Sequence, residues 1–459
     1  MSAGEFLPEG DTNAATTRAS WLDGLSSRTL ALLDRDVRYF IGQALSTPCL
    51  NGVEQAVGSE LIDLEGQRIL DFHGNNVHHL GYGHPEVVQA VVEQLQRLPF
   101  SPRRYTNAQA VDLAARLSDR SPIPDAKVLF ARGAAEATSI AIKVARAATG
   151  RYKTVGLYGS FHGATLDALS LGGQAEFLRG MGPVLPGSLH VPEYNPDRCF
   201  FGCQGHCSLD CLSYLEEVVT REGDVAMVMM ETIRNTDVRI PPPDYYARVQ
   251  EICRRAGCLF VLDETAIAWG RTGKLFAIEH YPGVEPDMIV VGKGLGAGLY
   301  PISALMAHPR LDVVADRSVG HFTFEKSPVG AAAGLAMLEV VERDHLCEQA
   351  VSKGESVRER LEQLRRQHPM MGRIRHLGLL LAFDILDPAS NRPWHEAADA
   401  LLYAALRRGL SFKVSQGFIV AWSPPLVIEP QDLERAVAIL DEALTETAHA
   451  LLKGRHGGA

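Results

Sequence analysis

The sequence predicts an α/β protein: a large domain built on a mostly parallel, doubly wound sheet, with a smaller α+β domain drawn from both ends of the chain. Three observations carry that expectation. At 459 residues the chain is too long for one compact core. From about residue 66 to residue 335, apolar runs of strand length alternate with amphipathic helical patterns, as parallel strands joined by crossover helices require. From Leu335 onward the pattern becomes helix-rich, with one short strand signal at Leu377–Ile385. The expected division is residues 1–65 and 336–459 for the small domain and 66–335 for the large one.

Taken in order, Ser20-Trp-Leu-Asp-Gly-Leu and Arg28-Thr-Leu-Ala-Leu-Leu space apolar residues as helices do. Glu60-Leu-Ile-Asp-Leu-Glu-Gly-Gln-Arg-Ile-Leu-Asp71 alternates and breaks at Glu-Gly, the mark of a hairpin. Lys127–Ala131, Lys153–Tyr158, Val225–Met230, Leu259–Leu262 and Met288–Val291 are the clearest strands. Glu136–Ala148 and Asp244–Ala256 are the clearest helices between them. No internal repeat and no low-complexity tract interrupts the series.

Bulk properties narrow the function. With 46% hydrophobic and 22% charged residues the composition is that of a globular enzyme, and a formal charge of -10 argues against nucleic acid as a partner. No run approaches the roughly 20 apolar residues of a membrane span. The start, Met1-Ser-Ala-Gly-Glu-Phe, has neither the basic nor the apolar region of a secretory signal, so a cytoplasmic enzyme with no membrane partner is expected. Cys199, Cys203, Cys207 and Cys211 recur every fourth residue, with His206 among them. This spacing fits either a small metal knot or a surface excursion with reduced thiols, and it matches known zinc ligand spacings only loosely.

Lys293 closes the apolar run Asp287-Met-Ile-Val-Val-Gly-Lys and opens a glycine-rich loop. A lysine at a buried strand end should lose solvation, which disfavours its charge and makes the amine a nucleophile. Asp263 ends the run Cys258-Leu-Phe-Val-Leu-Asp, at the kind of strand end where open α/β sheets bind ligands. Such a pair suits pyridoxal 5′-phosphate (PLP), the lysine on its aldehyde and the carboxylate on its pyridinium. On their own, the two residues fit a capping carboxylate and an unrelated lysine equally well. Gly133, Ala134 and Ala135 lie between a strand and a helix, where backbone N–H groups can receive a phosphate. Phe161, in Gly159-Ser-Phe-His-Gly163, follows another strand and offers a flat face for a ring. Four such matches in one chain order outweigh the bland reading of each.

With these segments, Asp71-Phe-His-Gly-Asn-Asn, Gly270-Arg-Thr-Gly-Lys274 and Thr323 ahead of Pro328, the chain resembles the class III group of fold type I PLP aminotransferases from about residue 40 to 445. The resemblance implies that Lys293 carries the cofactor, Asp263 pairs with its pyridinium, Phe161 stacks on the ring, and Ala134 and Ala135 form the phosphate cup. It further implies that Thr323 reaches the phosphate of a neighbouring subunit, making a homodimer with shared active sites. Glu231 falls where the group has a glutamate that positions a substrate-side arginine.

The departures from that group are specific. Asp263-Glu-Thr-Ala266 replaces Asp-Glu-Val-Gln, and Ala421-Trp-Ser-Pro-Pro-Leu426 replaces Arg-x-x-Pro-Pro-Leu. The arginine lost at 421 is the one that grips the α-carboxylate of a keto-acid partner, and alanine cannot substitute for that fork. Glu231-Thr-Ile-Arg-Asn-Thr-Asp237, Ser101-Pro-Arg-Arg104, His321-Phe-Thr-Phe-Glu-Lys-Ser-Pro328, Ser411-Phe-Lys-Val-Ser-Gln-Gly417 and the lead-in segments Glu9–Asn13 and Ser46–Asn51 are similar to the (R)-1-hydroxy-2-aminoethylphosphonate ammonia-lyases. Ala135, where a threonine is usual, and Ala266, where a proline is common, depart even from that subgroup. The resemblance implies elimination from a β-hydroxy aminophosphonate, giving phosphonoacetaldehyde and ammonia. An ω-amine:oxo-acid aminotransferase and a phosphoethanolamine-type phospho-lyase are the alternatives. Arg103, Arg104, Arg132, Arg234, Lys326 and Lys413 are the cations available to a phosphonate, with Arg104, Arg234 and Lys326 foremost because they lie in the subgroup's motifs.

Overall fold

The computed structural model describes residues 16–43, 49–203 and 207–456. They divide into two compact units. The larger holds Pro85–Asn235 and Arg239–His345; the smaller holds the described residues up to His84, Thr236–Val238 and the chain from Leu346. The observed boundaries thus differ from those expected at 65/66 and 335/336. Arg68–Asp71 pairs in parallel with Leu410–Ser411, which ties the segment after residue 65 to the C-terminal part of the chain. At the other boundary, Pro328–Arg343 is one unbroken helix running through residue 335.

The larger unit is built on a seven-stranded sheet. Its strands are β1 (Lys127–Ala131), β2 (Lys153–Leu157), β3 (Ser188–Val191), β4 (Val225–Glu231), β5 (Leu259–Asp263), β6 (Met288–Val291) and β7 (Ser303–Ala307). Their spatial order is β1-β7-β6-β5-β4-β2-β3. Strands β6, β5, β4, β2 and β3 run parallel, and β7 is antiparallel to both of its neighbours. The fold is therefore the mixed, mostly parallel α/β type that the alternation of runs foretold. Two strands were not visible in the pattern. β3 carries serine and histidine and is only partly buried, and β7 is a short alanine-rich run without β-branched residues.

Burial on both faces explains the composition of the central strands. Met227, Val228, Met229, Val261, Leu262, Ile289 and Val290 are all sealed from solvent. Helix Ala134–Thr149 covers one patch of the sheet with Ile140, Ala141, Val144 and Ala145. Helix Tyr245–Ala256 buries Val249, Ile252 and Cys253 and stops at Gly257, whose φ of 66° suits a left-handed cap.

In the smaller unit, Val53–Val57, Glu60–Asp63, Arg68–Asp71 and Leu410–Ser411 form one four-stranded sheet, and the hairpin expected over residues 60–71 is its centre. A second sheet takes the order Met371–Leu377, Leu380–Ile385, Ile419–Trp422, Lys413–Ser415. The single strand signal at 377–385 thus covers the turn, at Gly378 with φ 58°, and the second strand of a hairpin whose first strand is Met371–Leu377. The run of leucines through that turn hid the break. No helix among the described residues is long and apolar enough to cross a membrane.

Of the four closely spaced cysteines, Cys199, Cys203 and Cys207 lie between β3 and helix Asp210–Glu222 and Cys211 lies in the first turn of that helix; all four are free thiols. Among the described residues, no group of His, Cys, Asp or Glu is arranged to hold a metal ion, and His206 lies outside them.

One buried acid braces the segment after β5. Glu264 accepts hydrogen bonds from Thr232 Oγ1 at 2.9 Å and from the Ile278 and Ala277 N–H groups at 2.7 and 2.6 Å. Burial pushes its pKa up to about 7 against the pull of those donors. Both oxygens face a backbone N–H, so in Glu264→Gln either amide orientation sets an NH2 group against a donor. This variant should lose about 1–3 kcal/mol in urea unfolding of the apoprotein. In β2, a Cβ on Gly156 would lie 2.0 Å from the Leu171 carbonyl oxygen, a backbone atom that cannot swing aside. Gly156→Ala should therefore cost at least about 1–3 kcal/mol in the same measurement.

Candidate active site

The residues that the sequence marks for chemistry emerge from one edge of the large sheet. β5 ends at Asp263, β4 ends at Glu231, and β6 runs through Gly292 into Lys293. β2 leads to the loop holding Phe161 and His162, and β1 leads through Gly133 into the helix that starts at Ala134. This is the carboxyl edge of the parallel strands, where open α/β sheets place ligands.

Asp263 and Glu231 are register partners on adjacent strands, so two carboxyl groups stand side by side. Their environments drive them apart. Asp263 is 6% exposed, and burial works to raise its pKa. A hydrogen bond from His162 Nδ1 to Oδ2 at 2.8 Å, the histidine's charge, and the Thr265 N–H on Oδ1 at 2.9 Å outweigh burial and hold it below the usual carboxylate range. Glu231 goes the other way: burial raises its pKa, the charges of Arg234 and His162 oppose that, and Asp263 raises it further. One of its oxygens accepts the Phe161 N–H at 3.3 Å, which links the two carboxyl groups to the aromatic loop. Phe161 is partly buried with its ring 4.7 Å from that of Phe177.

Lys293 sits at φ 44° at the head of a short 3-10 turn, Lys293–Gly296. It is exposed, contrary to the expectation of a desolvated amine. The strand before it is buried, but the chain turns sharply at the strand end and lifts the side chain out of that packing. The turn is made at Lys293 itself, while Gly292 before it is extended and packs closely against β7, where a Cβ would meet Ser303 Oγ at 2.3 Å. Trp269 Nε1 fixes the same turn by donating to the Gly292 carbonyl at 3.1 Å.

Arg234 is drawn into the same region. A Cβ on Gly159 would lie 2.7 Å from its Nη1, which places the guanidinium against the strand-loop junction that leads to Phe161. The arginine is 10% exposed and donates to Glu193 Oε2 at 2.7 Å, while Arg239 pairs with the other oxygen of the same glutamate. Arg104, Thr323 and Lys326 form a separate, exposed group on two adjoining loops. Asn107 Nδ2 donates to the Lys326 carbonyl at 3.0 Å and the Phe100 and Phe324 rings meet at 5.2 Å, which joins the loops. Arg132, by contrast, is tied to Glu136 in the first turn of the helix that follows it. In the smaller unit, Lys413 and Ala421 are register partners in the second sheet, with Ala421 buried.

His162, Thr265, Glu193 and Arg239 were not singled out from the sequence. His162 was within reach, because it directly follows Phe161 in a quoted motif. No local pattern distinguishes Glu193, whose partners lie about 40 residues away.

These residues fit a phosphorylated pyridinium aldehyde. Gly133 caps the helix at Ala134 without a side-chain hydrogen bond, so the first-turn N–H groups are not occupied by a capping group. The wall beside them is backbone, for a Cβ on Gly163 would collide with the Ala135 Cβ at 2.5 Å. A buried carboxylate held ionised suits a protonated ring nitrogen. Lys293 supplies the amine.

Comparison with known proteins agrees with this geometry. Residues 42–444 match the family model for aminotransferase class-III. The chain is 39% identical to an (R)-1-hydroxy-2-aminoethylphosphonate ammonia-lyase from Vibrio splendidus over 97% of this chain and 96% of that protein. It is 31% identical to an isoleucine 2-epimerase from Lentilactobacillus buchneri, over 92% and 96% of the two chains. Among solved structures, a PLP-bound amine transaminase from an uncultivated Pseudomonas species superposes with a TM-score of 0.81 at 26% identity, covering 89% of this chain and 98% of that one. The protein belongs to the class-III aminotransferase family, has the fold type I architecture and uses pyridoxal phosphate as its cofactor.

Proposed function

We propose that this enzyme is an ammonia-lyase acting on a β-hydroxy aminophosphonate, converting (R)-1-hydroxy-2-aminoethylphosphonate to phosphonoacetaldehyde and ammonia. The observation that carries the reading is Ala421. A transaminase binds an amine donor and then a keto acid, and the position where the family's carboxylate-gripping arginine is expected here holds a buried methyl group. Elimination needs no second partner. The likeness to the Vibrio splendidus protein along nearly the whole chain supports the same conclusion.

Bound PLP supplies an electron sink for the carbon next to the substrate nitrogen. The residues around it then have separable tasks. Asp263 holds the negative charge that keeps a pyridine nitrogen protonated, and His162 holds Asp263. Phe161 covers the ring face, and the N–H groups at Ala134 and Ala135 receive the phosphate. The Lys293 amine would hold the cofactor's aldehyde between turnovers and, once freed, would take the proton from the carbon bearing nitrogen. Hydroxide leaves the neighbouring carbon as water, and hydrolysis of the resulting enamine gives the aldehyde and ammonia. Arg234, Arg104 and Lys326 supply positive charge for the phosphonate, and Glu231 sits where it can orient Arg234. We assign the enzyme to the cytoplasm, as a homodimer in which Thr323 of one subunit completes the phosphate site of the other.

Ammonia, aldehyde and inorganic phosphate should be assayed with (R)-1-hydroxy-2-aminoethylphosphonate, with and without pyruvate or 2-oxoglutarate. Ammonia and aldehyde in equal amounts, at a rate indifferent to the keto acid, are expected, and Lys293→Ala should abolish both. Product that appears only with a keto acid, which is aminated in equal measure, would make the enzyme a transaminase. Phosphate release from phosphoethanolamine would make it a phospho-lyase.

The shared site has its own test. Thr323→Ala should weaken PLP retention without dissociating the dimer. Mixing Thr323→Ala with Lys293→Ala subunits should restore activity through the one intact site of each heterodimer. No recovery after verified subunit exchange rules out a composite site.

A further inference from the structure

Far from any role in the proposed reaction, the excursion between β3 and helix Asp210–Glu222 gathers thiols in one place. The Cys199 carbonyl accepts the Gly202 N–H at 3.0 Å, and Gly202 has φ 75°, so the chain doubles back between Cys199 and Cys203. That turn draws Cys199 and Gly202 together, Cys203 follows it directly, and the Cys199 and Cys203 side chains are within hydrogen-bond reach of each other. Cys203 Sγ lies 3.4 Å from Ser208 Oγ, and the Cys199 and Cys207 thiols lie against it. Cys199, Cys203 and Cys207 are reached by solvent, whereas Cys211, Cys253 and Cys258 are buried.

We propose that Cys203 and Cys199 form a reversible disulfide, with Cys203 as the thiol that reacts first with hydroperoxides. The thiols differ in readiness. Hydrogen bonds from the Ser208 side chain and backbone, then from the Cys199 side chain, bring Cys203 down to about 7, so a large share of it is thiolate at neutral pH. Burial pushes Cys211 up to about 12, and burial also raises Cys207. A low-pKa, solvent-reached cysteine beside a second thiol is the arrangement of redox-sensing pairs. The steps balance. Cys203 thiolate attacks hydrogen peroxide, the O–O bond breaks, and sulfenic acid and hydroxide form. The Cys199 thiol attacks that sulfur, the S–S bond forms, the S–O bond breaks and water leaves. Two thiols give up two electrons, and peroxide becomes two waters. A dithiol reductant reverses the bond.

The test uses the full-length PLP-loaded enzyme exposed to hydrogen peroxide, with remaining thiols alkylated and peptides sequenced by tandem mass spectrometry. A Cys199–Cys203 bond should form first and disappear with dithiothreitol, and Cys203 alkylation in untreated enzyme should have a pH midpoint near 7. Cys203→Ser should abolish the bond, whereas Cys199→Ser should leave a Cys203 sulfenic acid that dimedone traps. Three results overturn the proposal: first oxidation at another cysteine, a Cys203–Cys207 bond instead, or thiols that react only after stoichiometric zinc is stripped from them.

Discussion

A carboxylate that must stay charged while almost sealed from water is the constraint on which the rest of the large unit depends. An ion buried at Asp263 is tolerable only with donors on both oxygens, and the structure supplies His162 for one and the Thr265 N–H for the other. His162 is held in place by the turn after β2, whose Ser160 donates to the Leu157 carbonyl at 2.8 Å. The Thr265 N–H is presented by the segment that Glu264 braces. Removing either support would leave a buried charge short of a partner. The neighbouring Glu231 shows what happens with fewer donors: burial wins and its pKa rises.

The strand ends of the site were legible because an apolar run that stops at a charged residue is a local signal. Asp263 and Lys293 are both of that kind, and so is the proposed phosphate cup, where a strand gives way to small residues and a helix. What could not be read locally is what surrounds each group. The exposure of Lys293 follows from the sharp turn at its own left-handed backbone, which the apolar run before it does not reveal. The engagement of Arg234 by Glu193 joins residues from different strand-loop junctions. Pairings of this kind depend on tertiary placement, and no periodicity records them. Secondary structure shows the same divide: the buried central strands stood out, while β3, only partly buried, and β7, without β-branched residues, did not.

The pairing of Glu193 with Arg234 and Arg239 bears on specificity. A guanidinium already held by a carboxylate is fixed in direction, which lowers the ordering cost of binding an anion but also offers that anion a competitor. Arg104 and Lys326, on their exposed loops, are paired with no carboxylate among the described residues. Recognition of a phosphonate would thus combine one preset cation with others that must be ordered as the substrate arrives.

Antiparallel β7 has a metric consequence. It lies between β1, which feeds the helix proposed to receive the phosphate, and β6, which feeds Lys293. The lateral distance between those two strands is accordingly two inter-strand steps, roughly 9–10 Å. Backbone hydrogen bonds set that span, and no side chain lining the site enters into it. Replacing lining residues can therefore redirect the chemistry while the ruler that separates phosphate from amine stays unchanged. A lyase and an epimerase among the relatives of this chain are what a scaffold with a fixed gauge and exchangeable walls would produce.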